Sequence, residues 1–330
     1  MEYITERELM PYKLGALLYT PATNTKIAEK VNNREIHSLK AFVLCLEDSI
    51  ADEDLQYAEQ CMVKTLKEIK NKTIMVFVRV RNPEHLKHIY QLLEENGIEE
   101  KVAGYVLPKF NKDNCFWYLD TVKNMPRYLT KHGYKENESY NPVYIMPVFE
   151  TEDIANISIR HEVLSYLYDS LCGLGDTVLN IRVGGNDFCN LYGIRRTSNQ
   201  TIYDAAVIQD IFKDIVNIFG QEYVISGPVW EYFGNNQHDQ WAVGLKRECK
   251  MDMLNGFFGK TAIHPSQVPV INSILMPLQS DVADAKRILE NQSGGAGNSN
   301  RKGSMIEPKT HTKWAKQIVA RSIVFGEKYA

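Results

Sequence analysis

Eight short apolar runs rich in β-formers recur along the chain: LGALLYTP (14–21), AFVLCLED (41–48), TIMVFVRV (73–80), AGYVLPK (103–109), VYIMPVFE (143–150), NIRVGGND (180–187), YVISGPVW (223–230) and GFFGKTAIHP (256–265). Between most of them lie segments of helical periodicity, such as LQYAEQCMVKTLKEIKN and TIYDAAVIQDIFKDIVNIFG. Strand and helix in alternation imply an α/β protein with a parallel sheet, and eight repeats imply a (β/α)8 TIM barrel rather than an open sheet. An open doubly wound sheet would want a glycine-rich phosphate turn after the first strand, and LLYTPATN has none. The predicted organisation is a barrel over 1–290, a flexible linker over 291–304 and a C-terminal helical tail over 305–330. The linker, NQSGGAGNSNRKGS, is too rich in Gly, Ser and Asn to bury apolar surface. The tail carries Trp314, Ile318 and Val319 on one side of a helix and must dock on something.

At 330 residues and 44% hydrophobic, the chain can build a large core. A net charge of -3 with both signs dispersed offers no field for a nucleic-acid backbone or an anionic membrane, so a small molecule or protein is the expected partner. The six cysteines stand far apart with no CxxC pair, which suggests neither a disulfide framework nor zinc and points to a reduced, cytoplasmic protein. MEYITERELMPYK has no apolar signal core, and no run approaches the roughly 20 residues that cross a bilayer.

Barrel chemistry sits at the C-terminal ends of the strands. The residues closing the runs are Glu47 and Asp48, Arg79, Lys109, Glu150, Asp187 and His264. By alternation, Glu150 shares a face with Val148 and Met146, and Arg79 with Phe77 and Met75, so each charge continues a face that is apolar further down. Glu150 and Asp187 come from neighbouring units. Two carboxylates converging in a dry site repel unless a cation lies between them, and magnesium fits an oxygen donor set; the alternative is that each acid caps the helix after it. Zinc is disfavoured because His264 is the only histidine nearby. Arg79 suits bidentate capture of a substrate carboxylate, or else an internal salt bridge to Glu47 or Asp48. Gly184 and Gly185, before Asn186, either let backbone N–H groups approach a ligand or simply turn the chain. Arg195 and Arg196 read as a solvated basic pair or a second anion site, His85 and His88 as surface residues, and the remaining Tyr and Trp as core.

In order along the chain, LLYTP, LCLEDSIAD, VFVRVRN, YVLPK, PVFET, GGNDFCNLYG and GFFGKTAIHPSQVPVIN resemble the citrate lyase beta subunit and HpcH/HpaI aldolase superfamily of magnesium-dependent carbon–carbon lyases. IRVGGNDFCNLYGIRR and HTKWAKQI resemble the lyase-like branch found in tellurium-resistance gene clusters. The resemblance implies that Glu150 and Asp187 bind Mg2+, with Mn2+ as a substitute, that Arg79 holds substrate oxygens, and that Glu47 and Asp48 form a supporting acidic cluster. Lys109, Asp48, Gly185, Asn186 and His264 would line the substrate, a small carboxylate cleaved or formed through an enolate, with Glu47 or Glu307 as acid or base. It also implies a homo-oligomer, trimer or hexamer, in which the tail brings Glu307 to a neighbour's site. KLGALLYTPATN departs from the Arg-Ser and LFVPG-like pattern of members that use acyl-CoA, and MIEPK puts Glu307 where the family's tail often has Asp. The opposed reading is a barrel that keeps its metal site and serves as a ligand-binding component of a stress-response complex.

Overall fold

The computed structural model describes residues 3–125, 143–290, 297–299 and 305–329. The eight predicted runs each contain one strand: β1 (Ala16–Pro21), β2 (Ala41–Cys45), β3 (Met75–Arg79), β4 (Gly104–Leu107), β5 (Tyr144–Phe149), β6 (Ile181–Val183), β7 (Ile225–Gly227) and β8 (Phe257–Ala262). Each pairs in parallel with the next and β8 returns to β1, which closes the TIM barrel. The period of two then divides each strand. Leu17, Val43, Phe77, Val106, Met146 and Val148 pack together inside the barrel. The alternate residues, such as Phe42, Val78, Tyr105 and Ile145, face the surrounding helices and build the larger core.

The helices around and beneath the barrel form a shell that comprises α1 (Glu6–Leu9), α2 (Lys26–Asn32), α3 (Leu55–Glu68), α4 (Pro83–Glu95), α5 (Cys115–Lys123), α6 (Glu152–Ala155) and α7 (Arg160–Cys172). It continues with α8 (Gly185–Leu191), α9 (Ala206–Phe219), α10 (Gln240–Leu254), α11 (Gln267–Leu275), α12 (Gln279–Glu290) and α13 (Pro308–Phe325). In α9 the residues Ile208, Ile211, Phe212, Ile215 and Phe219 recur every three or four positions and are all buried, the spacing a helix needs to lay one face on a sheet.

The tail is docked on its own barrel. Ala315, Ile318 and Val319 of α13 share a core with Ile4, Leu9, Val282 and Ile288. Lys313 Nζ donates to the carbonyls of Gly220 and Gln221, ahead of β7, and the Phe325 ring abuts Gly15, ahead of β1. The helix therefore lies across the end of the barrel where the strands begin. Of the predicted linker only 297–299 are described, and there Gly297–Asn298 (β9) pairs antiparallel with Met305–Ile306 (β10); the rest of 291–304 lies outside the described residues.

Three readings need correction. His85 is not a surface residue: it is buried, its Nδ1 accepts from Arg81 N, and its Nε2 lies 3.1 Å from Glu59, as does Nε2 of the exposed His88. A side chain that folds back on its own helix's first turn gives no periodicity signal. Arg196 is not half of a solvated pair, since it is buried on Glu248. Trp117, Tyr57 and Tyr192 are exposed rather than core, while Trp230, Trp241, Tyr105 and Tyr118 are buried.

Candidate metal and substrate site

The barrel's C-terminal mouth gathers acids that follow β2, β5 and β6, three of them around one guanidinium. Arg79, the last residue of β3, points inward above Phe77. Its Nη2 lies 2.8 Å from Glu47 Oε2 and 3.2 Å from Glu150 Oε1, and its Nη1 lies 3.2 Å from Asp48 Oδ2. The internal salt bridge is thus real, and it reaches Glu150 as well. Arg79 Nε is left as a buried donor without a partner. Lys109 closes the other side: its Nζ is 2.6 Å from Glu47 Oε1 and 3.5 Å from Asp48 Oδ1. Its backbone N–H donates to Glu150 Oε1 at 2.9 Å from a left-handed conformation (φ 50°) that non-glycine residues seldom adopt.

Glu150 follows β5 directly, and its second oxygen turns toward β6. There Gly184 makes room. A Cβ built on Gly184 would stand 2.4 Å from Glu150 Oε2 and 2.9 Å from Asp187 Oδ2, so both carboxylates border the same small space. Asp187 does not close β6 but lies in the first turn of α8. Neither acid is a helix cap: the N-cap of α6 is Thr151 and that of α8 is Gly184.

The electrostatics of this space suit a cation. Burial pushes the Glu150 carboxyl up to about 7; Arg79 works against that and Asp187 adds to it. Burial likewise raises Asp187, with the Asp48 charge adding to it. Glu47 is raised by burial and by its hydrogen bond with Asp48. Burial would raise Asp48 too, but Glu47, Arg79 and Lys109 outweigh it and hold that carboxyl down. Two carboxyls that are hard to ionise, one oxygen of each bordering the same gap, form a donor set that a small hard cation satisfies. Among the described residues no group of three or more His, Cys, Asp or Glu gathers as a metal site, so the two carboxylates are the donors this space offers.

The other predicted residues are placed less directly. Asn186 Oδ1 accepts from Arg196 Nη2 at 3.4 Å, and Gly185 begins α8 against Pro228. His264 stands just past β8, its ring stacked 4.5 Å from that of Phe233 and its Nδ1 within 2.8 Å of Ser266 Oγ. Glu307 does not join the cluster. It precedes α13, at the barrel's opposite end, and its backbone N–H donates to His311 Nδ1.

Two sets of residues escaped sequence reasoning. Arg182, in the middle of β6, is 2% exposed inside the barrel, where it lies over the Tyr19 ring with Nη2 on Thr261 Oγ1. On the outer side of β8, Lys260 is buried 2.9 Å from Glu248 and 2.8 Å from Asp252 of α10; Tyr203 donates to Asp252 and Ile202 N to Glu248. A basic residue inside an apolar run is the signal that marks both.

A family model described as C-C bond lyase of the TIM-barrel fold matches residues 8–327. The L-malyl-CoA/beta-methylmalyl-CoA lyase of Rhodobacter capsulatus is 23% identical over 301 residues, covering 88% of this chain and 89% of that one. The mitochondrial citramalyl-CoA lyase of Homo sapiens is 24% identical over 304 residues, 88% of this chain and 81% of that one. Among solved structures, a citrate lyase from Burkholderia xenovorans superposes with a TM-score of 0.69 at 14% identity, over 96% of this chain and 93% of that one. CitE of Mycobacterium tuberculosis in complex with magnesium, acetoacetate and coenzyme A gives 0.59 at 16% identity, over 93% and 97%.

Proposed function

The chain belongs to the C-C bond lyases of the TIM-barrel fold, and from that premise we propose that it cleaves or forms a carbon–carbon bond beside the carbonyl of a small carboxylate, with a divalent cation, Mg2+ or Mn2+, held by Glu150 and Asp187. The observation that carries this reading is the shared gap beside Gly184, bordered by both carboxylates. A hard cation bound there supplies Lewis acidity toward a substrate carbonyl and the enolate derived from it.

The chain's own residues do the rest. Arg79 holds Glu47, Asp48 and Glu150 in one constellation and offers Nε to a substrate oxygen. Lys109 fixes Glu47 from the other side and, through its N–H, fixes the rotamer of Glu150. Glu47, 7% exposed and raised by burial, is suited to move a proton at the substrate carbon, directly or through water. Relatives named as CoA-ester lyases support an acyl-thioester as one reactant. Glu307 has no part in this scheme within one subunit.

Exchange of the methyl protons of pyruvate with D2O, followed by NMR with and without Mg2+, tests the proposal. Metal-dependent exchange that disappears in Glu150→Gln and Glu47→Gln is expected. Binding of metal and pyruvate with no exchange would point instead to a ligand-binding barrel.

A further inference from the structure

Four Arg or Lys side chains are classed as buried among the described residues: Arg160, Arg182, Arg196 and Lys260. Three of them sit on carboxylates: Arg160 on Asp210 and Asp214, Arg196 on Glu248, and Lys260 on Glu248 and Asp252. Arg182 does not. No carboxylate of the described residues lies within salt-bridge distance of it. Its partners are the neutral oxygens of Asn180, 3.4 Å from Nη1, and Thr261, on Nη2, with the Tyr19 ring centroid 5.6 Å away. An ion kept from water without a counter-charge is costly, and proteins seldom tolerate one without a use for it.

Its position supplies the use. Arg182 is in register with Val148 of β5, which lines the barrel interior, and with Ser226 of β7. It shares a face with Gly184 two residues on, which puts it roughly 7 Å below the gap between Glu150 and Asp187. Tyr19 and Thr261, around the guanidinium, are only partly buried although their strands turn them inward. Arg79, the other cation of the interior, has already given both terminal nitrogens to acids.

We propose that Arg182 is the anion-binding residue at the floor of the site, where its guanidinium takes the carboxylate of a short 2-oxo or 2-hydroxy acid between Tyr19 and Thr261. The assignment rests on the lyase reading for the kind of anion, though not on the metal. The bound carboxylate supplies the counter-charge that Arg182 lacks, and Arg182 sets how deep the substrate sits. Arg79 then organises the acids above it.

Calorimetric titration of pyruvate and of oxalate, each with and without Mg2+, and of Mg2+ alone, tests this in the wild type, Arg182→Met and Arg182→Lys, with thermal melting of each. The expected result is that Met weakens carboxylate binding by about 30-fold or more, leaves Mg2+ binding within a few fold, and melts no lower than the wild type, because a buried unpaired charge has gone. Lys, which keeps the charge but loses the fork, should fall about five- to tenfold short with the fold intact, and it carries the test if Met does not fold. Carboxylate binding as tight in both variants as in the wild type would overturn the assignment, as would a wild type that binds neither pyruvate nor oxalate. Binding that needs no metal but needs Arg182 would uphold the subsite while removing the metal reading.

Discussion

Gly184 stands so close to Glu150 that a methyl group on its Cα would lie 2.3 Å from Glu150 Cβ. The glycine is there for space and not for conformation, since its φ of -87° suits any residue. Gly184→Ala should therefore act sterically. It pushes Glu150 away from Asp187, costs about 1–3 kcal/mol of stability as an overpacked side chain does, and weakens Mn2+ or Mg2+ binding by roughly tenfold or more. Calorimetric titration beside urea unfolding separates the two effects; unchanged metal affinity would remove Gly184 from the site.

Proton competition at Glu150 gives a pH dependence of defined sign. With its carboxyl pushed up to about 7, metal binding must displace a proton below that pH, so affinity should hold above about 7.5 and fall by up to about tenfold per unit beneath it. In the metal-free protein the sign reverses. An acid whose folded pKa lies above its unfolded value binds more protons in the native state, so stability contributed by this group declines as pH rises from about 4.5 to about 7. Glu150→Gln should flatten both curves, as titrations and melts across pH 5–8 would show.

Arg79→Lys keeps one positive charge but cannot bridge three carboxylates. Glu47 and Glu150, both buried, would be left short of a partner, and a loss of about 2–4 kcal/mol is expected. Chemical unfolding measures it, and a loss under half a kilocalorie would show that the acids find other partners.

Lys260→Met tests the network outside β8. Removing the ammonium leaves Asp252 fully buried with only the Tyr203 hydroxyl among the described residues, while Glu248 keeps Arg196, so about 3–5 kcal/mol should be lost. The double change Lys260→Met, Asp252→Asn should recover part of it, because Glu248 keeps Arg196 and the N–H of Ile202 as partners. Metal affinity should move little in either, because this charge faces α10 and not the barrel interior.

The fold was legible because a strand's period of two and a helix's of 3.6 are local properties, and eight alternations leave few ways to close. The acids of the site were legible for a related reason: Glu150 ends a run whose every second residue, Met146 and Val148, faces inward, so its own direction followed. Partner choice was not. Whether Arg79 would meet Glu47, Asp48 or Glu150 depends on the stagger between strands, which no single segment carries. Arg182 was not legible either, because it lies inside a strand, between Ile181 and Val183, and not at the strand's end. Asp187 was assigned to a strand end because GGND is equally compatible with the first turn of a helix. The tail's docking face was hidden too, for α13 shows an apolar side but not which end of the barrel it meets.

The docking of α13 also fixes an order of events. Leu9 and Ile4 pack on Ile318 and Val319, and Lys316 reaches Glu8 at 2.8 Å, so a segment ahead of the eight strands is completed by one that follows them. All eight strands are synthesised before that contact exists. During translation the nascent chain can align its barrel while the base stays partly uncovered at Leu9 and Ile4, and only synthesis of the segment after residue 305 seals it.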